Sequence, residues 1–138
     1  MTGLYRLSAF ATLAVQDVAS AARWYQEVLG FRVILLARGS RQTPGLAHLR
    51  FGQHQDLLLV PAFAGFFDED QRDPAGGVRL TFRVEEDVEE LAARASEAGA
   101  RLVEGPADRP WNARDVTVED LDGYRITFSN FSWVSGIA

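Results

Sequence analysis

Few side chains in this sequence are suited to chemistry, and the donors a metal or a proton would need are scarce. Two histidines, His48 and His54, stand among 138 residues, and cysteine is absent. The lack of thiols excludes thiolate nucleophiles, iron–sulfur clusters and cysteine-bound zinc. His48 and His54 would share an ion only with a third donor such as Gln55 or Asp56. Neither histidine has ligand spacing on a rigid element, so both read as satisfied strand or turn side chains. No carboxylate pair can be set face to face from spacing, and no catalytic residue is assigned. What remains are Arg79, Arg114, Trp111 after Pro110, and the aromatic and acidic segment Phe63 to Asp70.

These residues need elements to position them. Ala9 to Val15 alternates as a strand, with Ala11, Leu13 and Val15 on one face and Phe10, Thr12 and Ala14 on the other. Asp17 opens a helix whose apolar stripe is Val18, Ala21, Ala22, Tyr25, Val28 and Leu29, and Gly30 closes it. Strands are predicted at Phe31 to Arg38, Leu46 to Phe51 and Asp56 to Val60. The same order returns with a strand over Val78 to Val84 and a helix begun by a capping-box-like Asp87 and Glu90 and closed by Gly99. Three strands follow at Arg101 to Glu104, Arg114 to Glu119 and Tyr124 to Asn130, the last two joined at Asp122-Gly123. Asp17 to Asp87 and Gly30 to Gly99 are offsets of 70 and 69 residues, which marks an internal duplication. One helix covers one face of each four-stranded set, so function belongs on the other face.

The stretch Leu13-Ala-Val-Gln-Asp-Val-Ala-Ser-Ala-Ala-Arg-Trp-Tyr-Gln-Glu-Val-Leu-Gly-Phe31 resembles the opening module of the vicinal oxygen chelate superfamily, which contains glyoxalase I, extradiol dioxygenases, fosfomycin-resistance enzymes and bleomycin-resistance proteins. The segment from Arg109 to Phe128, with Pro110-Trp111, Arg114 and the Asp122-Gly123 turn, is similar to the bleomycin-resistance branch, with Asn112 and Leu121 standing where that branch has Gly and Pro. The resemblance implies an α+β glyoxalase-like fold, two tandem βαβββ modules forming a half-open mixed β-barrel. Within a single domain over 1–138, module one spans 9–60, a linker 61–77, module two 78–131 and a tail 132–138.

Metal enzymes of that superfamily hold a divalent ion at four matching strand positions. The resemblance places these on Phe10, about Leu59, Arg79 and Thr127, none of them an ordinary ligand. The implied metal chemistry is therefore read as lost, with no metal and no cofactor expected. By alternation the face away from the helices carries Phe10, Thr12, Ala14, Leu57, Leu59, Arg79, Thr81, Arg125 and Thr127, an apolar groove with a few hydroxyls and guanidinium groups. Trp111 is either a stacking plate for a flat ligand or a ring packing its loop. Arg79 binds an anionic or carbonyl group, or else pairs with a carboxylate on a neighbouring strand. Arg114 matches the arginine of the family motif, as a ligand contact or a strand-end brace. The ligand-binding set expected is thus Phe10, Thr12, Leu57, Leu59, Arg79, Trp111, Arg114 and Thr127.

Whole-chain properties bound the function. A net charge of -5 offers nucleic acid no electrostatic footprint. The longest apolar run, Leu57 to Phe67, is interrupted by Pro61 and Gly65 and is too short to span a bilayer, and Met1 to Phe10 has no signal-peptide pattern. The expectation is a cytoplasmic homodimer that sequesters a small aromatic or amphipathic molecule without metal, in the manner the bleomycin-resistance resemblance implies. The competing expectation is a lyase, isomerase or dioxygenase of the same fold in which His48, or an acid such as Asp56 or Asp115, serves as metal ligand or base, so enzymatic activity is left open. The Phe63 to Asp70 segment serves as lid or as linker, and the tail with Trp133 and Ile137 docks across the dimer.

Overall fold

The computed structural model describes residues 9–39, 45–62, 73 and 76–131. The chain divides into two compact units, Met1–Asp73 and Pro74–Ala138. The segment 63–70 and the tail 132–138 lie outside the described residues.

The first unit runs β1 (Ala11–Val15), α1 (Val18–Leu29), β2 (Arg32–Ala37), β3 (Leu46–Phe51) and β4 (Gln55–Pro61). Its sheet has the order β1-β4-β3-β2, with β1 parallel to β4 and the other pairs antiparallel. Asp17 caps α1 by accepting a hydrogen bond from the Ser20 backbone N–H at 2.9 Å. Gly30 ends it in the left-handed region at φ 80°, a conformation that costs glycine no Cβ clash. Ala21, Ala22, Tyr25, Val28 and Leu29 are buried. Tyr25 meets Phe31 edge-on with centroids 5.1 Å apart, and Phe31 meets Phe51 at the same distance. That chain of rings puts α1 on the sheet face carrying Phe51, Leu49 and Ala47.

The second unit repeats the plan. It contains β5 (Leu80–Arg83), α2 (Val88–Glu97), β6 (Arg101–Arg109), β7 (Ala113–Glu119) and β8 (Arg125–Ser129), in the sheet order β5-β8-β7-β6. Asp87 caps α2 by accepting from the Glu89 backbone N–H at 2.7 Å, and the helix closes at Ala98, one residue before the expected Gly99. Phe82, Val116, Val118, Ile126 and Phe128 are buried on the face toward α2. The fold is α+β, two four-stranded mixed sheets with one helix each, and neither sheet closes into a barrel.

Three features differ from the sequence reading. β6 does not stop at Glu104 but continues to Arg109, with register shifts between Leu102 and Glu104 and between Glu104 and Ala107. Gly105 at φ 82° lets the strand bend there, and bulges of this kind re-aim side chains. Leu57 and Leu59 do not lie on the face away from the helix. They pair with Ala11 and Leu13 on one side and with Leu49 and Ala47 on the other, and both are fully buried on the α1 face. The residue of β4 on the far face is Leu58, opposite Thr12 and His48. Finally, the far face of the second sheet is polar, as described next, and not an apolar groove.

Candidate functional site

Strand pairing defines what the second sheet presents away from α2. Thr81, Thr127, Thr117 and Glu104 form one cross-strand row, and Arg125, Glu119 and Arg101 form the adjacent one. Ser129, Asp115 and Ala107 form a third. In the described residues of this unit, a cavity of about 310 Å³ is lined by Arg79, Thr81, Arg109, Trp111, Asp115, Thr127, Ser129 and Phe131. That volume lies at the low end of the range for small-molecule pockets, roughly 300 to 1,000 Å³.

Ion pairs hold the wall of this cavity in place. The Arg109 Nε donates to Asp115 Oδ1 at 2.9 Å, and its terminal nitrogen donates to Glu104. Arg79 donates to the other oxygen of Glu104 at 3.0 Å. Arg79 immediately precedes β5 and Glu104 lies on β6, so one carboxylate joins the two edges of the sheet, which must curl to allow it. The hydrogen bonds from Arg109 and then Arg79 hold the Glu104 carboxyl below its ordinary range. The same bonds, to Glu104 and then to Asp115, raise Arg109. Two guanidinium groups against two carboxylates leave the wall close to charge-balanced. Deeper in, the Thr117 and Thr127 hydroxyls share a hydrogen bond of 2.7 Å and are buried.

Trp111 lies in the turn between β6 and β7, lines the cavity and is 65% exposed. The turn is closed by Asn112 at φ 63°, where the resembling branch has glycine. Asn is among the few residues that tolerate this left-handed backbone, so the turn survives the replacement.

The sequence-derived residues thus separate. Arg79, Trp111 and Thr127 come together at the cavity. Arg114 does not: it lies on the α2 face of β7, where it is bonded to Glu89 of α2 and donates to Asp108 at 3.0 Å. Those bonds raise its pKa, Glu89 contributing most, and make it a brace between helix and sheet. Phe10 and Thr12 belong to the first unit and are exposed there, with Phe10 at 53%. Leu57 and Leu59 belong to its core. The alternation reading missed Arg109, Asp115 and Ser129 at the cavity, and it missed Glu104 because the bulges of β6 reverse its direction.

His48 lies on β3 with a bonded ring, as the reading of it as a satisfied strand side chain expects. It pairs with Leu58 across β3 and β4, on the face away from α1, and its Nε2 is bonded to the buried Asp56. Arg50 forks the same carboxylate, Nε to Oδ1 at 2.8 Å and a terminal nitrogen to Oδ2 at 3.0 Å.

The four superfamily metal positions do not fit an ion. Phe10 is an exposed ring, Leu59 faces α1, and Leu58 beside it is equally apolar. Arg79 is a paired cation, and the Thr127 hydroxyl is bonded to Thr117. None supplies a carboxylate or imidazole to replace an ion's hydration shell. Among the described residues there is no group of three His, Cys, Asp or Glu side chains able to hold one. No described helix is long and apolar enough to cross a membrane.

Two repeated βαβββ units, each with a sheet face left uncovered by its helix, define a duplicated-module protein of the glyoxalase type. A family model for the Glyoxalase/Bleomycin resistance protein/Dioxygenase superfamily matches residues 7–128, and the chain belongs to that superfamily. It is 26% identical over 122 residues to the virulence protein STM3117 of Salmonella typhimurium, covering 86% of this chain and 80% of that protein. Among solved structures it is similar to TioX from Micromonospora sp. ML1, at 28% identity and a TM-score of 0.69, over 91% of this chain and 99% of that one. TnmS3, an antibiotic binding protein from Streptomyces sp. CB03234, is 25% identical with a TM-score of 0.69, over 96% and 100% of the two chains.

Proposed function

We propose that the protein is a metal-independent small-molecule-binding protein that sequesters a flat, polar-substituted ligand, with antibiotics as the first class to test. One observation carries this reading: the cavity of the second unit sets an exposed indole, Trp111, beside buried hydroxyls and a charge-balanced ion-pair wall. Such a surface suits an aromatic body stacked on Trp111 whose carbonyl or hydroxyl groups meet Thr81, Thr127 and Ser129. With Arg79 already paired to Glu104, the wall favours a neutral ligand over a strongly anionic one. The likeness to TnmS3 supports the antibiotic class, and the misfit of the metal positions supports binding over metal-assisted catalysis.

A thermal-shift screen with flat antibiotics, polyketides and acyl metabolites tests the proposal, because a ligand that binds only the folded state raises stability by mass action. A hit should bind saturably and weaken by about tenfold in Trp111→Ala, the scale of one aromatic stacking contact. Unchanged affinity would remove the stacking role. A stoichiometric divalent ion in protein purified without chelator would instead favour the enzymatic alternative.

A further inference from the structure

The first unit carries a cluster that the cavity of the second does not use. On the face of its sheet away from α1, Leu35, His48, Leu58 and Thr12 form one cross-strand row. Arg32, Arg50 and Asp56 form the next. The Asp56 side chain is fully buried, whereas that of His48 is 28% exposed. Arg50 donates to both Asp56 oxygens, and an arginine is always a donor, so the carboxylate accepts at each of them. The imidazole nitrogen bonded to it, Nε2, must therefore bring the proton. In the neutral ring this leaves Nδ1 as the acceptor, and among the described residues the structure gives His48 no second partner. The fork from Arg50 already satisfies Asp56, so the added bond to His48 serves chiefly to orient the ring.

We propose that His48 is a proton-accepting binding site for a phenolic or enolic hydroxyl, oriented by Asp56 and flanked by apolar Leu35 and Leu58. The ligand O–H donates to Nδ1. On full transfer the proton resides on Nδ1, the electron pair remains on the ligand oxygen, and the imidazolium is held against the Asp56 carboxylate. Among the described residues of this sheet face the other charged side chains beside Asp56 are Arg50 and Arg32, and Arg32 is itself anchored to the Gly52 carbonyl at 3.1 Å. Both favour an oxyanion on the ligand. Leu35, 52% exposed, gives the aromatic or enol carbon frame an apolar bed.

The probe is p-nitrophenol, whose colour reports its ionisation, added to the full chain with ¹⁵N-labelled histidine. In the free protein the His48 ring should show a protonated Nε2 and a bare Nδ1. p-Nitrophenol should perturb the Nδ1 resonance saturably, and its bound spectrum should shift toward the phenolate at a pH where the free probe is mainly neutral. His48→Gln should weaken binding by about tenfold, the scale of one hydrogen bond with a charged partner. Asp56→Asn should reverse the tautomer; should that variant fail to fold, the tautomer of the wild-type ring decides alone. A protonated Nδ1 in the free protein, His48 resonances indifferent to the probe, or equal affinity in His48→Gln would each overturn the proposal.

Discussion

Thr127 shows how far a single residue was legible and where legibility stopped. Its place on the face away from the helix followed from alternation, but its partner did not, because Thr117 is brought opposite it only by the pairing of β7 with β8. Two buried hydroxyls satisfy each other at 2.7 Å. Thr127→Val keeps the volume and strands the Thr117 hydroxyl, which should cost about 1 to 3 kcal/mol in urea unfolding. Adding Thr117→Val should recover part of that loss, since removing both partners leaves nothing unsatisfied. Glu104 gives the pH counterpart. Its carboxyl is held below the ordinary value of 4.5 by Arg109 and Arg79, so the folded state binds its proton more weakly than the unfolded chain. The resulting stability is fully present above the ordinary pKa and is lost as pH falls through the lowered one. An NMR titration should find the Glu104 midpoint below 4.5, and Arg109→Met should move it upward.

At the scale of elements, caps and turns were read well because they depend on local backbone chemistry: Asp17 and Gly30 act within their own turns, and Asp120 accepts from the Asp122 and Tyr124 N–H groups to hold the Asp122-Gly123 turn. Strand faces were harder. The run Leu57-Leu58-Leu59-Val60 is apolar at every position, so alternation carries no phase and only pairing with β1 and β3 decides that Leu57 and Leu59 turn toward α1. His48 was rightly read as a satisfied strand side chain, but its partner Asp56 was not legible, since that bond needs β3 and β4 in register. The strand expected to stop at Glu104 continues through Gly105-Pro106 to Arg109. A Cβ on Gly105 would come within 2.5 Å of the Asp115 carbonyl oxygen, on a backbone at φ 82°. Gly105→Ala should therefore destabilise by about 2 to 4 kcal/mol, summing left-handed strain and overpacking. It should also loosen Asp115 in the cavity, detectable as a lower unfolding midpoint together with a broadened Trp111 indole resonance.

For the whole molecule, the duplication was visible as two offsets nearly equal in length, and the superfamily was visible in the stretch from Leu13 to Phe31. The chemistry of the uncovered faces was not visible, because hydrophobicity tells a strand's core side from its other side without saying what the other side bonds to. The proposed homodimer belongs at this scale. β2 is an edge strand with Ile34, Leu35 and Leu36 all substantially exposed, a pattern that soluble chains usually cover. Sedimentation velocity should find a dimer that Ile34→Lys shifts toward monomer; a concentration-independent monomer in the parent protein would reject it.

The two bulges of β6 give that strand a parity. Arg101, Glu104, Ala107 and Arg109 pair with Glu119, Thr117, Asp115 and Ala113, so all four fall on the same side despite their uneven spacing. Each bulge absorbs one extra residue, so deleting Val103 would straighten the pairing and leave the acid that clasps both sheet edges opposite Thr117. Single-residue differences in length along this stretch are thus taken up as a bulge gained or lost, and the clasp survives them.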